Sequence, residues 1–308
     1  MKIAIAGGYG VGMTMRLARA PRAGETVSGG VLAVGPGGKG SNQAIAAARL
    51  GASASLLTAV GADEQASGAR ALWASEGVAT GHVVATARPT MTGFILVEPD
   101  GENRIAIAPG ALDELDPSHV EAFRDEIASA DILLVSLEIP LVAATAALRI
   151  ARETGTPAIL NPAPAVRIAD EVLALASILT PNLGEALILL GDPPDAPADP
   201  ERLARALADR SGAAVVITLG ASGCFVVDGD NAYPVPAVDA GPVVDTVGAG
   251  DAFSAALAVA LGGGSSLEGA VRFASCAGAL AVTIPEVVPA LPRLADVDRL
   301  LHAMGSHA

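Results

Sequence analysis

Apolar residues recur in two rhythms along this chain. From Ser118 onward, short uninterrupted runs of Val, Ile and Leu alternate with longer stretches at helical spacing. The pattern predicts helix 118–129, strand 132–137, helix 141–153, strand 157–160, helix 169–176, strand 177–180, helices 183–190 and 200–211, and strand 214–219. Strands that are apolar on every residue are buried on both faces, so this half predicts a mostly parallel sheet covered by helices on both sides. Upstream, 1–6 reads as a first buried strand and 53–60 as a strand followed, after a turn at Asp63, by a helix through Gly77. The adjacent glycines 37, 38 and 40 open a small-residue helix through Ala48. Downstream, 223–236 reads as a hairpin about Asp228-Gly229-Asp230-Asn231, 252–260 as a buried helix, and 270–284 as a last apolar helix.

Two stretches leave this rhythm. Residues 13–34 carry Pro21, Gly24, Gly29 and Gly30 and read as short strands and turns. Residues 92–98 and 103–108 alternate about Pro99-Asp100-Gly101-Glu102 and read as a hairpin. Gly7-Gly8-Tyr9-Gly10-Val11-Gly12 has the spacing G-x-G-x-G, not the G-x-G-x-x-G that runs into a helix in dinucleotide folds.

A length of 308 residues allows one large α/β domain or two smaller ones. Only 3% of residues are aromatic, so the core is aliphatic. A net charge of −14 argues against nucleic acid and against an anionic membrane surface, both of which attract basic proteins. Mean hydropathy is positive, yet no run approaches the roughly 20 apolar residues of a spanning helix. The first strand is too short for a secretory leader, which makes the cytoplasm the expected compartment. Cys224 and Cys276 then read as buried free thiols, and His82, His119, His302 and His307 have no metal-ligand spacing. The small, polar tail 305–308 reads as an unstructured end or an added remnant.

Ligands of parallel sheets bind beyond the carboxyl ends of the strands. Four polar segments fall there: 136–138, 161–164, 181–185 and 218–223. The richest chemistry lies in Asp245-Thr246-Val247-Gly248-Ala249-Gly250-Asp251, directly before the buried helix. Three small residues let successive N–H groups face one concavity at a helix start, which is an anion site. Asp251 on the first turn is placed to take a proton from a hydroxyl, or simply to cap the helix. Lys39 and Asn42 offer a cation and a mixed donor–acceptor beside flexible glycines. Asn182 and Glu185 read either as a helix cap with a dipole-favoured acid or as a ligand pair.

These motifs resemble the ribokinase-like (PfkB) sugar and nucleoside kinases, closest in pattern to the family's ribokinase branch. D-T-V-G-A-G-D at 245–251 is similar to the family's C-terminal signature and G-G-K-G-S-N at 37–42 to its N-terminal one. The resemblance implies a three-layer α/β/α core with a mostly parallel sheet, made of 1–11, 35–87 and 109–308, and a small β-sheet lid from 12–34 and 88–108. It implies that Asp251 is the catalytic base, with the amides of Gly248, Ala249 and Gly250 as the anion hole. Gly38, Lys39, Asn42 and Glu138 would contact the substrate. ATP would meet Asn182, Thr218, Gly220, Gly223 and Ser275. Glu185 and Asn182 would hold Mg²⁺ through water, and Asp245 with the Val247 carbonyl a monovalent cation such as K⁺. Lids of this family often pair, which implies a homodimer.

The pattern departs in two places. Gly10 and Gly12 stand where ribokinase has Asn-x-Asp, so the carboxylate that grips two sugar hydroxyls is missing and room is left. Glu286 and Ala290 replace a glycine and a serine of the cation loop. The expected activity is therefore ATP-dependent phosphorylation of a hydroxymethyl group on a small sugar or polyol other than D-ribose. Arg16, Arg88 or Arg104 would hold the acceptor or stand as solvated lid charges. An adenosine- or pseudouridine-type nucleoside kinase is the alternative, and a non-catalytic sugar sensor the rival from another class.

Overall fold

The apolar runs assemble side by side into one sheet. The computed structural model describes residues 1–99, 103–193 and 196–305. In the first part of the chain lie β1 (Lys2–Ala6), β2 (Gly10–Arg16), β3 (Val31–Gly37), α1 (Lys39–Arg49), β4 (Ser53–Val60), α2 (Glu64–Ser75), β5 (Ala79–Ala85), β6 (Met91–Val97) and β7 (Asn103–Ala108). Next come α3 (Pro117–Ala122), α4 (Arg124–Ser129), β8 (Ile132–Ser136), α5 (Leu141–Thr154), β9 (Ala158–Asn161), α6 (Asp170–Leu173), β10 (Ile178–Leu179), α7 (Leu183–Leu190) and α8 (Pro200–Ser211). The chain closes with β11 (Ala214–Thr218), β12 (Cys224–Asp228), β13 (Asn231–Val235), α9 (Ala249–Gly262), α10 (Leu267–Ala281), α11 (Val287–Ala290) and α12 (Leu294–Gly305).

A nine-stranded sheet runs β13-β12-β11-β10-β9-β8-β1-β4-β5. Its strands are parallel from β11 through β5, and the β12–β13 hairpin closes one edge antiparallel. Successive residues of a strand face opposite sides, and the two cores follow that alternation. Ile3, Ile5 and Leu134 pack with Ile45, Trp73, Leu257 and Val271 under α1, α2, α9 and α10. Ala4, Ala6, Leu133 and Val135 pack with Phe123, Ile127, Leu148 and Leu203 under α3, α4, α5 and α8. Apart from Asp251 and Ser254, helix α9 is apolar all round, and it is buried along most of its length, the signature of a helix enclosed by a core.

A separate four-stranded sheet has the order β3-β2-β6-β7. Residues directly opposite one another share a face. One face carries the rows Gly37-Gly10-Met91 and Gly35-Gly12-Gly93. The other carries Val34-Met13-Phe94 and Leu32-Met15-Leu96.

Several expectations are corrected. Helix 118–129 is two helices, because the chain turns at Phe123, whose ring is fully buried. Helix 169–176 shrinks to α6, one turn long. Strand β5 has only a weak apolar alternation and was not expected from the sequence. Nor was α12, although Val297, Leu300 and Leu301 lie at helical spacing and pack on α10. The hairpin turn 100–102 and the tail 306–308 lie outside the described residues. Among the described residues, no helix is long and apolar enough to cross a membrane, and both cysteines are buried and free.

Candidate active site

The glycines after β1 serve backbone contact. A Cβ on Gly40 would lie 2.4 Å from the Gly7 carbonyl carbon, and one on Gly38 would lie 2.5 Å from the Tyr9 Cα. Gly38 also has φ of 92°, a left-handed conformation that suits glycine. The start of α1 is thereby drawn onto the end of β1, with no dinucleotide loop between them. Lys39 opens α1, and its backbone N–H donates to Glu138 Oε2 at 2.6 Å. Glu138 stands just past β8, and a Cβ on Gly8 would fall 2.6 Å from the same oxygen.

Helix α9 starts the same way. Gly248 precedes it with φ of 86°, and a Cβ there would lie 2.6 Å from Val287 Cγ1. The N–H groups of Gly250 and Asp251 lie in the first turn, where no intrahelical acceptor exists. Asp251 itself is only 6% exposed. Asn42 Nδ2 donates to its Oδ2 at 2.8 Å, and Gln43 Nε2 faces its Oδ1 at 3.4 Å. The sequence named Asn42; it did not single out Gln43, although a glutamine inside the Ala-rich α1 needs a polar reason to be there. Asn42 Oδ1 is buried and has no partner among the described residues, an acceptor left unsatisfied beside Asp251.

Four charges meet here. Burial pushes the Asp251 carboxyl up, against the pull of Lys39, Asn42 and Gln43. Glu138 is pushed up to about 7 by burial and by Asp251, against Lys39 and its own backbone partner. Burial works to lower the Lys39 ammonium, but Asp251, Glu138 and Glu185 together outweigh it and raise it. Glu185 is raised by burial and by Asp251, against the Asn182 N–H and Lys39. One ammonium is thus shared by three carboxyl groups, from the end of β8 and the first turns of α7 and α9.

Asn182 and Glu185 form a capping box at the start of α7: Asn182 Oδ1 accepts from the Glu185 N–H and Glu185 Oε2 from the Asn182 N–H, both at 2.8 Å. The capping reading holds, and the box engages Oε2 of Glu185, leaving Oε1 outside it. Thr218, at the end of β11, bridges to Asn182. The turn beyond it has φ of 57° at Gly220 and 87° at Gly223, where a Cβ would lie 2.1 Å from the Val235 carbonyl oxygen. Ser275 Oγ donates to the Val271 carbonyl at 2.9 Å and lies beside Cys224, directly after that turn. Asp245 Oδ1 accepts from the Val247 N–H at 3.0 Å and Oδ2 from the Glu286 N–H at 3.4 Å, tying this loop to the segment before α11.

The room expected at the two glycines of β2 is found at one of them. A Cβ on Gly10 would lie 2.3 Å from Met91 Sδ, so the thioether already fills that space. A Cβ on Gly12 would meet nothing closer than 3.6 Å. Arg88 pairs with Asp113 and Glu114, and Arg104 with Glu98. The side chains of both are more than half exposed, as for solvated charges.

The arrangement is a buried carboxylate held by amides at a positive helix end, beside free N–H groups, a shared lysine and a second carboxylate. Its elements suit deprotonation of a hydroxyl next to an anion. A family model described as "pfkB family carbohydrate kinase" matches residues 10–293. The chain is 37% identical to the ribokinase of Haemophilus influenzae over 283 residues, covering 91% of this chain and 92% of that one. With the ribokinase of Bacillus subtilis it shares 34% identity, covering 97% and 99%. The solved structure of the Arabidopsis thaliana ribokinase complexed with ribose and ATP superposes with a TM-score of 0.89 at 29% identity, covering 97% of this chain and 98% of that one. The chain belongs to the pfkB family of carbohydrate kinases.

Proposed function

We propose that this protein transfers the γ-phosphoryl group of ATP to a hydroxymethyl group of a small sugar or sugar alcohol. The observation that carries the reading is Asp251, buried and amide-held at the start of α9, next to N–H groups that have no helical acceptor. Asp251 takes the proton of the acceptor hydroxyl as its oxygen attacks phosphorus in line, a role worth about 10²–10⁴ in rate. The amides of Gly248, Ala249 and Gly250 hold the phosphoryl oxygens as their charge rises, each worth about 10²–10³. Gly38, Lys39, Asn42 Oδ1 and Glu138 bind the acceptor's other hydroxyls. Asn182, Thr218, Gly220, Gly223 and Ser275 line the nucleotide's path along the strand ends.

Mg²⁺ fits beside the nucleotide, because the capping box leaves Glu185 Oε1 free and hard cations prefer such oxygens. Glu185 and Asn182 would hold it there through water, and it would supply positive charge against the phosphates. A monovalent cation at Asp245 and the Val247 carbonyl has less support, since both Asp245 oxygens already accept backbone N–H groups. ATP as donor and two free thiols suit a reducing compartment, the cytoplasm. The second sheet acts as a lid over the acceptor. Its outer face exposes Val34 (56%), Phe94 (52%) and Leu32 (54%), an apolar surface that pairs two copies into a homodimer.

D-ribose is expected to be a poor acceptor. Positions 10 and 12 offer no side chain and Met91 offers a thioether, so a gripped diol loses roughly 1.5–3 kcal/mol per charge-assisted bond. A nucleoside acceptor is the second reading, favoured by the row Gly35-Gly12-Gly93, where an added Cβ would meet nothing closer than 3.6 Å. The test is ATP consumption across pentoses, ketoses, polyols and nucleosides, with and without Mg²⁺ and K⁺. One strong sugar or polyol acceptor other than ribose supports the reading, a nucleoside supports the second, and ribose as best acceptor overturns the specificity. ATP binding with no turnover on any acceptor would point to a sensor.

A further inference from the structure

We propose that Gln43 and Asn161 are positioning residues, a hydrogen-bond relay running from the Thr180 backbone carbonyl to Asp251 that fixes the orientation of its carboxylate. The relay follows from which atoms can donate. A backbone carbonyl only accepts, so Asn161 must turn Nδ2 toward Thr180, and it does so at 3.0 Å. Asn161 Oδ1 then faces the other way and accepts from Gln43 Nε2 at 3.1 Å. The second hydrogen of that amide points to Asp251 Oδ1, at 3.4 Å. Flipping either amide would set acceptor against acceptor inside the core. Gln43, Asn161 and Thr180 are 0%, 7% and 2% exposed, so water does not screen the chain.

The cost of this arrangement is visible. Gln43 Oε1 is buried without a partner among the described residues, and the amide bears that cost because turning over would set this oxygen against Asn161 Oδ1 and Asp251 Oδ1. With Asn42 on Oδ2 and Gln43 on Oδ1, the carboxylate is held at two points and its plane is fixed relative to the attacking hydroxyl. The charges facing it are Lys39 from α1, Glu138 from the end of β8 and Glu185 from α7. None of them orients Oδ1.

The inference rests on Asp251 being the base, and its test separates the two. Gln43→Met removes the donor at nearly constant volume. With a working acceptor, kcat falls about ten-fold while both KM values stay within about three-fold, and the acid limb of the kcat–pH profile moves up by roughly half to one unit. Asn161→Leu, which does not touch Asp251, moves the profile the same way by less. A folded Gln43→Met enzyme with unchanged kcat and pH profile overturns the relay. A reading without turnover uses NMR of the unmodified protein. The Gln43 side-chain amide protons shift as Asp251 titrates, and the shift is absent in Asp251→Asn. Amide protons that do not respond overturn the relay, whatever the acceptor proves to be.

Discussion

Asn42 donates to the Asp251 carboxylate at 2.8 Å across a separation of 209 residues. The contact joins the first turns of α1 and α9, so the two glycine-led helix starts converge on one carboxylate. Asp251→Asn keeps the size of the side chain and removes its basicity. It is expected to lose about 10²–10⁴ in kcat, with the ATP dissociation constant within a few-fold of wild type. Steady-state kinetics with ATP-binding calorimetry checks both; turnover near the wild-type level would remove Asp251 from the mechanism.

Gly248 and Gly250 separate backbone strain from access to the anion site. Gly248→Ala forces an L side chain to φ of 86° and onto Val287, so it should lower stability by at least about 1–2 kcal/mol. Gly250→Ala meets no atom within 4 Å, so its melting temperature should hold. The new methyl group then intrudes on the phosphate, and kcat/KM for ATP should fall. Thermal melts beside kinetics distinguish the pair.

Glu138 sets a pH dependence of stability. An acid whose pKa rises on folding, here from 4.5 to about 7, binds its proton more tightly in the folded chain. Stability therefore falls as pH rises from about 4.5 to about 7 and stays lower above it. Burial raises Asp251 as well, with the same sign. Glu138→Gln should flatten this slope in melts recorded across that range; a slope equal to wild type would remove Glu138 as its source.

Met91 and Gly10 should prove coupled. Gly10→Asn drives a side chain into Met91 and should cost about 1–3 kcal/mol. In Gly10→Asn/Met91→Ala part of that cost returns, because the thioether is gone while the Met91 carbonyl, 2.7 Å from the new Cβ, remains. A double-mutant cycle by denaturant unfolding measures the coupling, and strict additivity would contradict the contact.

The outer face of the second sheet predicts an association equilibrium. Val34→Asp and Phe94→Asp, opposite Met13 in one row, should convert a dimer to monomer in sedimentation velocity without loss of fold. A wild-type protein that is monomeric at tens of micromolar would remove the proposed interface.

The sequence by itself determined the layers. Uninterrupted apolar strands between amphipathic helices left one arrangement that buries them, the helix-covered parallel sheet, and G-G-K and D-T-V-G-A-G-D marked two helix starts, because glycine and small residues there have local backbone reasons that a linear reading can recover. The family resemblance followed from the same segments. Tertiary structure decided what local spacing does not encode. It brought Asn42 and Gln43 to opposite oxygens of Asp251 and set Lys39 among three carboxyl groups. It also filled the space over Gly10 with Met91 while leaving Gly12 bare. The turn at Phe123 and the edge strand β5 belong to the same class, since each depends on what packs against it and not on its own pattern. Hydrogen-bond direction, burial and shared charge arise between segments distant in sequence, so they exist only once the chain has folded.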